Sequence, residues 1–206
     1  MEQLDIYDET GKFLGVEDRN VVHEKGLWHK TVHCWLYDSY GRVFFQRRAD
    51  RGTLYTTASG HLMAGETVQD GFHREIFEEI GIQIDSSDAS LVGVVPFRMD
   101  KIKKDGSEFH DRAFANVYVD LYEGNFLDFH LDTNEVSSLV LVSAVDALSL
   151  FEKGEGSIPG IEIDSHNQAV TKDISFSEFL VNDGETAIEK YGDILRKIIN
   201  ITKKEK

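Results

Sequence analysis

The most regular stretch of hydrophobic and polar positions runs from Glu66 to Ile80. There Val68, Phe72, Ile76 and Ile80 recur every fourth residue with no proline between them. That period lays an apolar row along one side of a helix. Thr67 or Glu66 serves its start, and Gly81 stands where a left-handed cap ends such a helix. A second helical period occupies Glu185–Ile201, with Ile188, Tyr191, Ile194, Leu195, Ile198 and Ile199 on one face. Elsewhere the period is closer to two. Residues 3–18 alternate around Asp8-Glu9-Thr10-Gly11 and predict a hairpin, Leu4–Tyr7 out and Lys12–Val16 back. Residues 31–38 and 42–48 predict a second strand pair, followed by a loop over 49–59. Leu91–Met99 reads as a strand containing or ending at Pro96, Lys101–Gly106 as a basic turn, and Ala113–Tyr122 and Ser138–Val142 as strands. Ala144–Glu152 reads as a short helix, and Gly154–Asp173 as a loop or small hairpin. These elements predict an α/β (α+β) fold, a mixed β-sheet with helices on its faces. One domain spans 1–206, with a core of roughly 28–150, an N-terminal hairpin at 3–18 and a C-terminal helical extension at 174–202.

Composition narrows the partners. With 37 acidic against 22 basic residues the chain carries −15, which argues against binding to nucleic acid or to an anionic membrane surface. A single cysteine, Cys34, excludes an internal disulfide framework; it sits in the apolar run Val32–Tyr37 and reads as a buried small hydrophobe. The polar, acidic start MEQLDIYDETGK is unlike a signal peptide, and no apolar run approaches the length of a membrane span. The expectation is a cytoplasmic protein.

The chemistry concentrates on the 66–80 helix. Glu75, Glu78 and Glu79 are neighbours at spacings of three and four, and three carboxylates crowded there repel one another unless a cation compensates. Hard oxygen ligands of this kind favour Mg²⁺ or Mn²⁺. Arg74 is placed to neutralise part of the cluster or to hold a glutamate by two hydrogen bonds. Read alone, E-x-x-E-E is equally a solvated acidic face. The wider pattern over Gly60–Ile82, GHLMAGETVQDGFHREIFEEIGI, fixes Gly60, Glu66, Arg74, Glu75, Ile76, Glu78, Glu79, Gly81 and Ile82 together. A chance match of that kind is on the order of one in a million or rarer for average residue usage.

This stretch resembles the Nudix box, the signature of the Nudix hydrolases. The resemblance implies a Nudix-like α/β/α sandwich, a small-molecule diphosphate substrate and hydrolytic cleavage of its diphosphate linkage. Glu75, Glu78, Glu79 and the Gly60 carbonyl would hold the metal, and the family admits a homodimer. A loop glutamate often reaches the metal site as general base in such proteins; Glu135 stands there, with Glu108, Asp111 and Glu123 as competitors. Arg47 and Arg48 are candidates for substrate phosphate, and strand alternation turns at most one of them toward the site.

Tyr7–Arg19, Val22-His23, Leu27-Trp28-His29 and Gln46-Arg47-Arg48 further resemble the isopentenyl-diphosphate-isomerase-like branch. His23, His29 and His61 match that isomerase's histidine metal ligands, which implies a second metal site. Two of its requirements are absent. Ser59 stands where its cysteine precedes the Gly-His pair, and a hydroxyl supplies no thiolate at neutral pH. Phe109-His110-Asp111-Arg112-Ala113 stands where it carries Glu-x-Glu. The sequence therefore favours hydrolysis, with isomerase chemistry and a non-catalytic metabolite-binding role as the alternatives.

Overall fold

In a computed structural model of the chain, residues 2–84, 89–103, 105–125, 128–179 and 185–204 are described, with backbone alone for 185–190 and 204. Lys104 of the predicted basic turn and the side chain of Ile188 lie outside the described residues.

The N-terminal hairpin forms as its alternation predicts, β1 at Gln3–Tyr7 and β2 at Phe13–Asp18. A short helix that the sequence reading lacks follows directly, α1 at Arg19–Lys25. The Asp18 side chain caps it by accepting from the Asn20 N–H, and Gly26 closes it in the left-handed region at φ 63°. Its seven residues are too few to show a helical period, and it buries only Val22 and His23. Then come β3 (Trp28–Tyr37), β4 (Arg42–Arg48), β5 (Leu54–Tyr55), β6 (Ala58–His61) and α2 (Val68–Ile80). The two short strands β5 and β6 occupy part of the expected 49–59 loop. Further on lie β7 (Ser90–Ile102), β8 (Glu108–Leu121), β9 (Val136–Ser143), α3 (Ala144–Lys153), β10 (Ser157–Asp164), β11 (Ala169–Ser175), a 3-10 turn at Phe176–Glu178 and α4 (Glu185–Lys204).

Among the described residues, eleven strands form one mixed sheet whose main path is β11-β10-β9-β4-β3-β1-β2. Strand β8 joins β3 in parallel from Trp28↔Arg112 to Tyr37↔Leu121, and β7 lies antiparallel on β8. Strand β7 has no partner strand on its other side among the described residues, which is why Pro96 interrupts no ladder in its middle. The weakly patterned 154–173 segment resolves as the β10–β11 hairpin, paired from Ser157↔Ser175 to Ile163↔Ala169 and extending the sheet beyond β9.

Alternation in three central strands builds two cores. Val32, Cys34 and Leu36 of β3, Phe44 of β4, and Leu139 and Leu141 of β9 face Phe72, Ile76 and Ile80 of α2. Their neighbours Trp35, Tyr37, Val43, Phe45, Val140 and Val142 face α3 and α4 on the other side, meeting Leu150, Phe151, Tyr191 and Leu195. Each such side chain, fully buried, contributes about 1.5–3 kcal/mol. The result is an α/β/α sandwich in which α2 packs on one face and so holds its carboxylates against β6.

Candidate active site

Helix α2 begins where the Thr67 side chain accepts from the Asp70 N–H and ends at Gly81, φ 71°. Its apolar row fixes its rotation, and the rotation decides which glutamates turn inward. Glu75 and Glu79 are 8% and 2% exposed, whereas the Glu78 side chain is 54% exposed. Glu79 Oε2 accepts from the Ser59 N–H at 2.9 Å and from Gln46 Nε2 at 3.1 Å. Its other oxygen, Oε1, is buried with no hydrogen-bond donor among the described residues.

Arg74 binds the acidic cluster together. Its Nε and Nη2 donate to the two Glu66 oxygens at 2.8 Å each, Nη2 also reaches the His61 carbonyl at 2.8 Å, and Nη1 donates to Glu75 at 2.7 Å and Glu78 at 2.9 Å. Even so, the cluster is short of positive charge. Burial pushes the Glu75 carboxyl up to about 7 against the pull of Arg74, with Glu78 and Glu135 adding to the rise. Burial likewise raises Glu79, reinforced by Glu75 and Glu135 and opposed by the Ser59 N–H and Arg48. An orphaned, buried carboxylate oxygen beside two further carboxylates fits a hard divalent cation such as Mg²⁺ or Mn²⁺. Glu75, Glu78 and Glu79 would hold it, with the Gly60 carbonyl as a further oxygen.

Glu75, Glu78 and Gly60 open onto a cleft of about 450 Å³, with Glu79 buried behind them. Glu135 and Arg48 line it, together with Arg51, Ser59, Gly60, Tyr55 and Lys101. Arg47 does not. It leaves β4 on the opposite side, where Glu162 holds its Nε at 2.6 Å and Glu178 its Nη2 at 2.8 Å. The expectation that Arg47 meets substrate is therefore corrected; of the pair, Arg48 is the one facing the cleft. Of the competing acids, Asp111 lines the cleft, Glu108 pairs with His110, and Glu123 lines a separate cleft beside Gly81 and Tyr122. Two contributors escaped the sequence reading. Gln46 is fully buried on β4, and the signal available was its place two residues after Phe44, on the strand face that alternation turns toward α2. Arg51, next to Gly52 in a loop, carried none.

A second cluster adjoins the first through Gly60-His61. His23 from α1, His29 from β3 and His61 from β6 bring candidate ligand atoms within 4.8 Å of one another. His23 Nδ1 lies 2.8 Å from the Arg19 carbonyl and His29 Nδ1 3.1 Å from the Leu27 carbonyl. Because a carbonyl only accepts, both Nδ1 atoms carry the proton, which leaves each Nε2 lone pair pointing into the cluster. The two Nε2 atoms of His23 and His61 stand 3.2 Å apart, and Asp111 Oδ1 is 3.4 Å from His29 Nε2. Burial lowers the pKa of all three rings, so they are neutral at physiological pH. Neutral imidazoles suit a borderline metal such as Zn²⁺, Fe²⁺ or Ni²⁺.

A family model described as the NUDIX domain matches residues 27–159. The chain belongs to the Nudix family. An uncharacterized Nudix hydrolase of Clostridium acetobutylicum is 32% identical over 163 residues, 73% of this chain and 73% of that protein. A protein of Serratia proteamaculans named isopentenyl-diphosphate Delta-isomerase is 27% identical over 128 residues, 60% of this chain and 68% of that one. A crystal structure from Deinococcus radiodurans superposes with a TM-score of 0.54 at 21% identity, covering 74% of this chain and 90% of the other. The Nudix box thus occupies the end of β6, the following turn and α2, and the histidine cluster joins it at His61.

Proposed function

We propose that the chain is a divalent-metal-dependent Nudix hydrolase that cleaves a diphosphate linkage in a small metabolite, a nucleoside-diphosphate-linked compound or a related one. The observation that carries this reading is the inward pair Glu75 and Glu79, held beside Glu78 with one carboxylate oxygen left without a donor. A cation bound there supplies neutralisation of the diphosphate charge and a more acidic water for in-line attack. The chain's own residues do the rest. Glu75, Glu78 and Glu79 hold the cation, Arg74 fixes the carboxylates in place, and Arg48 takes a phosphate oxygen at the cleft wall. Glu135 is the proton acceptor, close enough to raise both inward glutamates. The chain acts in the cytoplasm, alone or as a homodimer; among the described residues no helix is long and apolar enough to cross a membrane.

The deciding experiment incubates purified protein and Mg²⁺ with ADP-ribose, NADH, FAD, CoA, nucleoside triphosphates and isopentenyl diphosphate, followed by phosphorus NMR. New monophosphate signals from one compound support hydrolysis and name its substrate class. An untouched panel sinks the reading for these classes.

One observation favours a second reading. The His23, His29 and His61 cluster with Asp111 alongside supports isomerisation of an allylic or homoallylic diphosphate. Ser59 lacks the thiol such chemistry uses, and the stretch Phe109–Ala113 lacks the Glu-x-Glu, its Phe109 stacking on His23 at 4.6 Å. Double-bond migration in proton NMR of the same incubation separates the two.

A further inference from the structure

Arg47 and Arg48 leave β4 on opposite sides, and the one turned away from the cleft is the better anchored. Arg47 Nε donates to Glu162 on β10 at 2.6 Å, Nη2 to Glu178 in the 3-10 turn at 2.8 Å, and Nη1 to the Gly52 carbonyl at 2.8 Å. The two acids are themselves held: Glu162 accepts from Ser138 Oγ and Lys172 Nζ, and Glu178 Oε1 accepts from the Ser175 N–H. With a side chain only 15% exposed, Arg47 is not an ordinary surface pair.

The carbonyl it grips belongs to the loop 49–53, and that loop is tied together internally. Arg48 N–H donates to the Thr53 carbonyl at 2.9 Å and Gly52 N–H to the Arg48 carbonyl at 2.8 Å. Asp50 takes Arg48 Nε at 3.0 Å and Arg51 Nη2 at 3.1 Å, setting the two cleft arginines side by side. On its far side the loop is tied to the general-base candidate, through Ala49 N–H to the Glu135 carbonyl at 2.8 Å. Leu54, just beyond it, bridges to Phe179.

We infer that Arg47 is a positioning residue, through which the C-terminal hairpin and 3-10 turn hold Arg48 and Arg51 at the diphosphate end of the cleft. The inference rests on the hydrolase reading for what those arginines bind, and it assigns the segment after residue 157 a part in the site that it never touches. Lysine cannot replace Arg47, since one ammonium does not reach Glu162, Glu178 and Gly52 in a fixed fork.

The test uses the full chain, its Arg47→Ala, Arg47→Lys and Glu178→Gln variants, and an Arg48→Gln/Arg51→Gln background. Amide exchange is followed at Arg48 and Gly52, and methylenediphosphonate with Mg²⁺ is titrated calorimetrically. In Arg47→Ala the Gly52 and Arg48 amides exchange at least about tenfold faster while those of α2 stay protected, and diphosphonate affinity falls about tenfold. Arg47→Lys fails to restore it, and Glu178→Gln, the milder lesion should Arg47→Ala not fold, moves both readouts the same way. In the Arg48→Gln/Arg51→Gln background, Arg47→Ala adds no further loss, because it acts through those two side chains. Unchanged exchange, or a loss that adds fully in that background, overturns the inference. A wild-type chain that binds no diphosphonate overturns the hydrolase reading instead, and Gly52 exchange alone then decides whether Arg47 holds the loop.

Discussion

Gly60 lies so close to Glu75 that a Cβ at Gly60 would overlap the Glu75 carboxyl group. The contact exists because β6 runs antiparallel to β3, pairing Gly60 with Val32, while α2 presses its buried edge onto the same strand. A methyl group at Gly60 must push the Glu75 carboxylate out of its place between Arg74 and the cleft. Gly60→Ala is expected to keep the fold and lower kcat about 100-fold, the cost of misplacing one group by about 1 Å. Steady-state kinetics beside a thermal melt checks this, and wild-type kcat would mean that Glu75 tolerates displacement and is no ligand.

Glu79→Gln removes the most buried carboxylate of the cluster while keeping its shape. The Ser59 N–H retains an acceptor, and the side-chain amide of Gln46 can turn to pair with the new one. Activity at saturating Mg²⁺ is expected to fall at least about 100-fold, more than the loss of an outer partner alone. The melting temperature without metal should hold or rise, because a carboxyl whose charged form burial disfavours is replaced by a neutral amide. A variant that loses activity only by unfolding would contradict the assignment.

The raised Glu75 makes stability depend on pH in a direction set by its sign. In the folded chain its carboxyl titrates at about 7 against an ordinary 4.5, and burial raises Glu79 as well. Between those values the folded state keeps a proton that the unfolded state has released, so stability falls as pH rises through the window. The three buried histidines, lowered below 6.5, act the opposite way over this range, so the carboxylates are read by difference. Relative to Glu75→Gln/Glu79→Gln, the metal-free wild-type chain should lose melting temperature from about pH 5 to about pH 7.5, with Mg²⁺ adding more at the upper pH, where it replaces the released protons. Calorimetry of both chains at the two pH values measures this. The same change of melting temperature with pH in the two chains would show that the two carboxylates carry no such strain.

What was legible in the sequence follows from where the physics is local. Helix α2 announces itself because its apolar period, its Thr67 cap and its Gly81 stop all lie within one window. The alternation at Val43–Phe45 and Leu139–Val142 is likewise a property of neighbours, and it carries the two-faced sheet. Helix α1 is shorter than two helical periods, so His23 was reachable only through family resemblance. The β10–β11 hairpin turns at Asn167, whose φ of 57° is an uncommon conformation for a residue other than glycine, and its strands pack few large side chains. Arg47 shows the limit most plainly. Alternation says that Arg47 and Arg48 point apart, yet which one meets the cleft depends on Glu162, which lies 115 residues further along the chain.

The histidine cluster makes a prediction separable from the Nudix carboxylates. His23, His29 and His61 come from three different elements, and at least two of them aim an unprotonated Nε2 inward. Co²⁺, whose visible bands strengthen when imidazoles replace water, reports on that site directly. His29→Ala is expected to weaken Co²⁺ binding at least about tenfold and to erase the imidazole-dependent bands, while Glu78→Gln leaves them intact. Burial holds all three rings below the ordinary histidine value of 6.5. Since the metal competes with protons for Nε2, the bands should persist below that pH and fade only under more acidic conditions. Bands that survive His29→Ala and vanish with Glu78→Gln would assign all metal binding to the carboxylates and leave the three histidines a packing role.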